Sequence, residues 1–160
     1  MSDTTRNEDS MNRRIVLMLV TLAVAVGMTA CSHAMMMIRG TGAQRPAPTE
    51  FGLGPRASAG ARYVATLEPA GELRPRQMLS VRLILRRLDG VPVEAAQITV
   101  DGGMPQHGHG LPTRPRVTRS LGDGIYEIEG VRFNMGGWWE FRLAIDAEPG
   151  VDTVTFNLDL

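Results

Sequence analysis

The feature that most constrains the fold is a period-two alternation of apolar and polar residues over residues 62–160. In residues 77–86, leucine and valine occupy one face of an extended chain, and serine and arginine occupy the other. Such alternation is typical of strands in a sheet that buries one face and leaves the other in water. Because no segment of this region keeps a 3.6-residue period, the sequence predicts an all-β domain.

Turn-forming glycine, proline and aspartate residues recur in this region at intervals that match short strands. Asp89-Gly90, Gly122-Asp123-Gly124 and Pro149-Gly150 predict turns, and Gly130 predicts a break or bulge. About seven strands result, over residues 63–67, 77–86, 96–101, 117–121, 125–133, 139–145 and 154–160. They indicate an immunoglobulin-like antiparallel β-sandwich over residues 62–160, with Trp139 in its core and Trp138 on the opposite face.

The first thirty residues have the pattern of a signal peptide. Arg13 and Arg14 precede a twelve-residue apolar run at residues 15–26. As a helix this run would span ~18 Å, well short of the ~30 Å hydrocarbon core of a bilayer. The sequence therefore predicts export, with residues 1–30 removed, and not a permanent membrane-spanning helix.

Residues 27–31, Gly-Met-Thr-Ala-Cys, resemble the lipobox of bacterial lipoproteins. Cys31 is the only cysteine of the chain, so it cannot form an intrachain disulfide. We expect Cys31 to be lipidated and to hold the protein on the bilayer, facing the periplasm of the cell envelope. Ser32 resembles the pattern that sorts lipoproteins to the outer membrane. The alternative is an ordinary secretory signal that leaves a free thiol.

A polar stretch separates Cys31 from the predicted domain. Residues 32–61 are rich in glycine, proline, alanine and arginine and show no apolar period, so residues 31–61 predict a lipidated cysteine followed by a flexible linker.

Charge and composition exclude two classes of function. The formal net charge is zero, and a nucleic-acid partner would need a basic face. The local cluster of Arg114, Arg116 and Arg119 is typical of a solvated strand edge. The chain lacks the nucleophile, base and orienting group of a hydrolase, so we expect no enzymatic activity.

Residues 104–110, Met-Pro-Gln-His-Gly-His-Gly, carry the chemistry that stands out. His107 and His109 lie two residues apart beside Met104, and glycine and proline place them on an exposed turn. Met135 precedes the Trp139 strand and could approach from a neighbouring loop. Imidazole and thioether ligands suit copper without any thiolate, so Met104, His107, His109 and Met135 form a candidate copper site. Alternatively, the histidines bond to backbone carbonyls and the methionines fill the end of the sandwich.

These motifs together resemble a known family. Met104-Pro105-x-His107-Gly108-His109-Gly110, then Gly124-x-Tyr126, then Phe133-x-Met135-x-Gly137-x-Trp139, are similar to the FixH/YtkA-like domain of bacterial envelope proteins. The resemblance covers residues 62–160 and implies a small immunoglobulin-type sandwich, anchored or exported. It also makes a role in copper handling or oxidase maturation plausible. Gly136 stands where many relatives carry proline, which predicts a looser Met135 loop.

Two functions follow from the sequence. One is a lipid-tethered protein that binds copper through its His/Met loop, for metal handling or oxidase maturation. The other is a metal-free accessory module that docks on a membrane protein complex.

Overall fold

The structure is a computed structural model that describes residues 43–160. The predicted signal peptide, the lipidation of Cys31 and the linker as far as residue 42 lie outside the described residues. Within residues 43–160, no helix is long and apolar enough to cross a membrane. This part holds a 3₁₀ turn at Pro48–Glu50 and nine strands: β1 Arg56–Ala57, β2 Tyr63–Pro69, β3 Met78–Arg87, β4 Gln97–Met104, β5 His109–Gly110, β6 Arg116–Gly122, β7 Ile125–Arg132, β8 Trp138–Asp146 and β9 Asp152–Asp159.

The strands form two layers that join into a nearly closed barrel. One layer has the order β1-β2-β3-β7-β6, and the other has the order β4-β8-β9, with the short β5 paired to β4. A single residue pair, Thr99 with Arg116, links β4 to β6 and so connects the layers. All strand pairs are antiparallel. The seven longer strands follow the order of an immunoglobulin-like sandwich, so the predicted fold class is confirmed.

The predicted turns lie between these strands. Asp123 and Gly124 both have positive φ, 52° and 66°, as the two-residue hairpin turn between β6 and β7 requires. A Cβ at position 124 would lie 2.3 Å from the carbonyl oxygen of Leu85, so only glycine fits there. Gly130 has a φ of 80° and lies in a bulge of β7. The turn signals in the sequence therefore mark the strand ends correctly.

The core lies between the layers and follows the predicted alternation. Trp139 is fully buried, and its ring meets that of Phe133 edge to face at 5.2 Å and 68°. Trp139 is thus the large core aromatic that the sequence predicts. The other largest buried side chains come from both layers: Tyr63, Phe141, Phe156, Leu83, Leu85, Ile128, Leu143 and Ile145.

The sandwich has two ends, which we name by their connections. The hairpin end consists of residues 70–77, 105–115 and 133–137. The turn end consists of residues 88–96, 123–124 and 147–151. The predicted metal ligands all belong to the hairpin end or to the strand end that leads into it.

Buried polar groups close the turn end. The Asp152 carboxylate, which is 7% exposed, accepts hydrogen bonds from Ser58 Oγ (2.6 Å) and from the amides of Gly60 (2.9 Å), Arg62 (3.3 Å) and Thr153 (2.8 Å). Burial raises the pKa of this carboxyl, but the four hydrogen bonds outweigh burial and lower the pKa to about 2.

Two tyrosine hydroxyls also form hydrogen bonds at the turn end. That of Tyr63 contacts the carbonyl oxygen of Ala147 at 2.7 Å, and that of Tyr126 donates to the carbonyl of Val93 at 2.6 Å. Burial raises the pKa of Tyr126. Polar side chains therefore tie the turns of this end to the strands beneath them.

Residues 43–59, which we call the strap, differ from the predicted linker. Arg45 binds Asp159 at 2.6 Å, and the amide of Gly52 donates to the carbonyl of Asn157 at 3.0 Å. The amide of Ala59 donates to Thr153 at 2.8 Å, while β1 pairs with β2. The strap thus lies along the edge of β9 and bridges it to β2. Composition could not reveal this, because the partners lie about a hundred residues away in the chain.

Candidate functional site

A tight hairpin between β4 and β5 carries the two histidines. Met104 pairs with His109, and the amides of His107 (3.0 Å) and Gly108 (2.9 Å) both donate to the carbonyl of Met104. Gly108 has a φ of 66°, a conformation that favours glycine. Residues directly opposite each other in an antiparallel pair project to the same face. The hairpin therefore places Met104 and His109 on the same face.

The two imidazoles lie side by side in solvent. Their centroids are 6.2 Å apart and their planes differ by 11°. Two imidazoles on one metal ion, with bonds of about 2 Å, have centroids roughly 6 Å apart at most. The observed separation is at the upper limit of that range, so the two rings would have to move closer together to share a metal ion with further ligands. Among residues 43–160, neither imidazole has a hydrogen-bond partner, in contrast to the structural role considered above.

Met104 occupies a different environment from the histidines. It is 2% exposed and belongs to the core. A Cβ built on Gly137 would lie 3.1 Å from its Cε atom. Met104 therefore lies directly beneath the β7–β8 loop, residues 133–137, which also carries Met135. The structure brings these two predicted ligands onto neighbouring segments.

The β7–β8 loop is held at both sides despite its glycines. The indole N–H of Trp139 donates to the carbonyl of Met135 at 3.0 Å, and Gly137 exchanges hydrogen bonds with Leu160 at 2.7 and 3.2 Å. A Cβ at Gly136 would lie 2.8 Å from the carbonyl oxygen of Leu160, so glycine allows this close approach. The Met135 side chain is 43% exposed. The loop is thus anchored, where Gly136 had predicted a looser one.

Trp138 follows the same loop and lies on the outer face of β8. It is only 3% exposed although it points away from the core, and its indole N–H donates to Asn157 Oδ1 at 3.0 Å. Asn157 Nδ2 in turn donates to the carbonyl of Glu50 in the strap at 3.4 Å. Sequence reasoning missed Asn157 and the strap. The signal was an apolar Trp138 at a position where the alternation predicts a polar side chain.

Acidic residues offer few candidate metal ligands at the hairpin end. Asp101 lies three residues before Met104 on the outer face of β4 and binds Arg142 at 3.0 Å. A hydrogen bond from the amide of Gly102, together with Arg142, lowers the pKa of Asp101. Within residues 43–160, no group of three His, Cys, Asp or Glu side chains could hold a metal ion.

Two arginines of the predicted cluster, Arg116 and Arg119, lie on strand β6, and Arg114 precedes it. Arg116 is opposite Glu129 in the register, and Arg119 forms an ion pair with Glu127. Both arginines are thus matched by acidic residues of the neighbouring strand.

Comparison with known proteins gives one family and one structural likeness. A family model described as YtkA-like matches residues 63–144, about half of the 160-residue chain. No curated protein matches the chain. A solved structure, the ZirS C-terminal domain, is 12% identical over 77% of this chain and 88% of its own, with a TM-score of 0.36. That TM-score is too low to carry an argument about fold or function.

Proposed function

The chain belongs to the YtkA-like family, and we propose that it is a non-enzymatic, lipid-tethered β-sandwich of the bacterial cell envelope that binds copper at its hairpin end. The copper would be received or delivered there, for metal handling or oxidase maturation. One observation carries the proposal: two exposed, nearly parallel imidazoles stand 6.2 Å apart without a hydrogen-bond partner in the described part of the chain. Unsatisfied neighbouring imidazoles are suited to a shared metal ion.

Each candidate ligand has a distinct part in this proposal. His107 and His109 supply nitrogen from the solvent side, and Met135 supplies a thioether from the adjacent β7–β8 loop. Met104 closes the site from the core side, since it projects to the same face as His109. This set contains no thiol, and so cannot be lost to disulfide formation in an oxidising compartment.

The test is a Cu(I) competition titration of the full chain in detergent against a coloured chelator. A variant with Met35, Met36 and Met37 changed to leucine serves as parent, because these tether thioethers could also bind Cu(I). We expect about one equivalent per chain, and its loss in the His107→Ala, His109→Ala double variant. His33→Ala is the matched control and keeps the full equivalent. Equal binding by the double variant and the parent would disprove the proposed site.

The membrane tether is the second part of the proposal. With Cys31 lipidated, the chain from Cys31 to Ala43 reaches at most roughly 40 Å, so the sandwich stays close to the bilayer. Cys31→Ser should move the protein from the membrane fraction to the soluble fraction. Recovery of that variant in the membrane fraction would contradict lipid anchoring at Cys31.

A metal-free accessory module docking on a membrane protein complex is the second candidate. The burial of Met104 in the core favours it, because a core methionine fills space whether or not metal binds. Under this candidate, one equivalent of Cu(I) leaves the melting temperature unchanged. Under the copper proposal the temperature rises, because a ligand that binds only the native state stabilises it by mass action.

A further inference from the structure

Three methionines near the hairpin end differ sharply in their contact with solvent. Met78, the first residue of β3, is 56% exposed, and Met135 is 43% exposed, whereas Met104 is only 2% exposed. Thioethers are oxidised to sulfoxides where oxidants can reach the sulfur. Exposure therefore separates two oxidisable methionines from one protected methionine within a single domain.

Met135 combines this exposure with a fixed backbone. Its carbonyl accepts the indole N–H of Trp139, and Gly137 is bonded to Leu160 on the other side of the loop. The side chain is thus presented to solvent by an anchored loop. That loop lies directly over Met104, and Met104 pairs with His109 in the hairpin. Met135 therefore lies on the loop that covers Met104, one of the candidate copper ligands.

We propose that Met135 is a reversible oxidation site, and that its conversion to sulfoxide by a peroxide switches off copper binding at the hairpin end. The second half of this inference rests on the proposed function. In the reaction, a sulfur lone pair attacks one peroxide oxygen, the O–O bond breaks and an S–O bond forms. The sulfur loses two electrons, and the departing hydroxide takes up a proton and leaves as water.

The sulfoxide is a poor substitute for the thioether as a copper ligand. Cu(I) prefers soft sulfur donors, and oxidation removes the soft lone pair and adds a hard, polar oxygen. The imidazoles of His107 and His109 are unchanged by this reaction. Oxidation should therefore weaken Cu(I) binding and leave the histidine ligands intact.

Oxidation of Met135 should leave the native fold intact. Because its side chain is already partly in water, the new oxygen stays hydrated. The same oxygen on Met104 would have to be buried in the core without a partner, at a large cost in stability. A native fold with an exposed sulfoxide is also accessible to a methionine sulfoxide reductase, which makes the modification reversible.

The first experiment measures oxidation at each sulfur. The full chain in detergent is treated with hydrogen peroxide for increasing times and digested with trypsin, which cleaves after arginine. The three methionines fall in separate peptides, residues 77–82, 88–116 and 133–142. We expect Met78 and Met135 to be oxidised at least about tenfold faster than Met104. Oxidation of Met135 no faster than that of Met104 would overturn the assignment.

The second experiment measures Cu(I) affinity before and after peroxide, in the background that lacks Met35, Met36 and Met37. Met78→Leu is the matched control, because it removes the other exposed methionine. Peroxide should weaken Cu(I) binding about tenfold or more in the parent and in Met78→Leu. In Met135→Leu, binding should be weak from the start and change little with peroxide.

The outcomes separate the two proposals. If the untreated parent binds no Cu(I), the proposed function fails, while the oxidation rates still decide whether Met135 is the reactive site. If the parent binds Cu(I) and complete oxidation of Met135 leaves the affinity within about twofold, the switch is refuted. Recovery of binding after treatment with a sulfoxide reductase would establish reversibility, and no recovery would refute it.

Discussion

The two ends of the sandwich differ in the burial and hydrogen bonding of their titratable side chains. At the turn end, Asp152, Tyr63 and Tyr126 are buried, and each is bonded to backbone groups. At the hairpin end, His107 and His109 are exposed, and neither has a hydrogen-bond partner among the described residues. The turn end thus uses these side chains for hydrogen bonds within the domain, whereas the two imidazoles of the hairpin end are left available to a ligand.

Removing the Asp152 carboxylate should give the largest loss of stability. Asp152→Ala leaves the Ser58 hydroxyl and three backbone amides without their acceptor in a buried position, which should cost about 3 kcal/mol. Urea unfolding followed by tryptophan fluorescence measures this change. Asp146→Ala, at an exposed position on β8, is the control and should change stability by less than about 0.5 kcal/mol. Equal effects at the two positions would remove the contrast between the ends.

The same carboxylate should make stability depend on acid. Its folded pKa of about 2 lies below the ordinary value of 3.8, so the folded state favours the charged form. The contribution is fully present above the unfolded pKa and is lost as the pH falls from about 4 through 2. It amounts to on the order of 2 kcal/mol. Unfolding measured from pH 6 to pH 2 should show this loss in the parent, and Asp152→Asn should lack it.

Met104 and Met135 should differ in how much each side chain contributes to the stability of the domain. Met104→Ala removes a buried side chain and should destabilise the domain by about 2 kcal/mol. Met135→Ala removes an exposed one and should cost less than about 0.5 kcal/mol. Thermal melts without metal compare the two variants. A large cost at Met135 would mean that its side chain supports the loop and not only the site.

The smallest effect on stability should come from the histidines. Without metal, the His107→Ala, His109→Ala variant should unfold within about 0.5 kcal/mol of the parent, because both imidazoles are exposed and unbonded in the described region. The measurement is the same urea titration, made in the presence of a chelator. A loss as large as that of Asp152→Ala would show that the hairpin end is structural.

Local patterns predicted most of the fold. Alternation located the strands, and Asp123-Gly124 and Gly130 marked a hairpin turn and a bulge, because backbone with positive φ favours these residue types and so leaves a local signal in the sequence. The burial of Met104 was not predictable in this way, since it depends on Gly137 in a loop about thirty residues later. The side-by-side imidazoles follow from the hairpin register, which the spacing of two histidines suggested but could not fix.

The strap was the main feature that the sequence did not predict. Its glycines and prolines give no period, and its partners Asn157 and Asp159 lie at the far end of the chain. Trp138 gave the one hint, as a large apolar residue on a face that is otherwise polar.

The strap also determines where the domain can be cut. A fragment starting at residue 62 would uncover the hydrogen-bonding edge of β9 that Gly52 and Ala59 now occupy. Unpaired edges recruit strands from other molecules, so such a truncation should self-associate or precipitate. For expression and crystallisation, a fragment should therefore keep Arg45 and the strap residues that follow it.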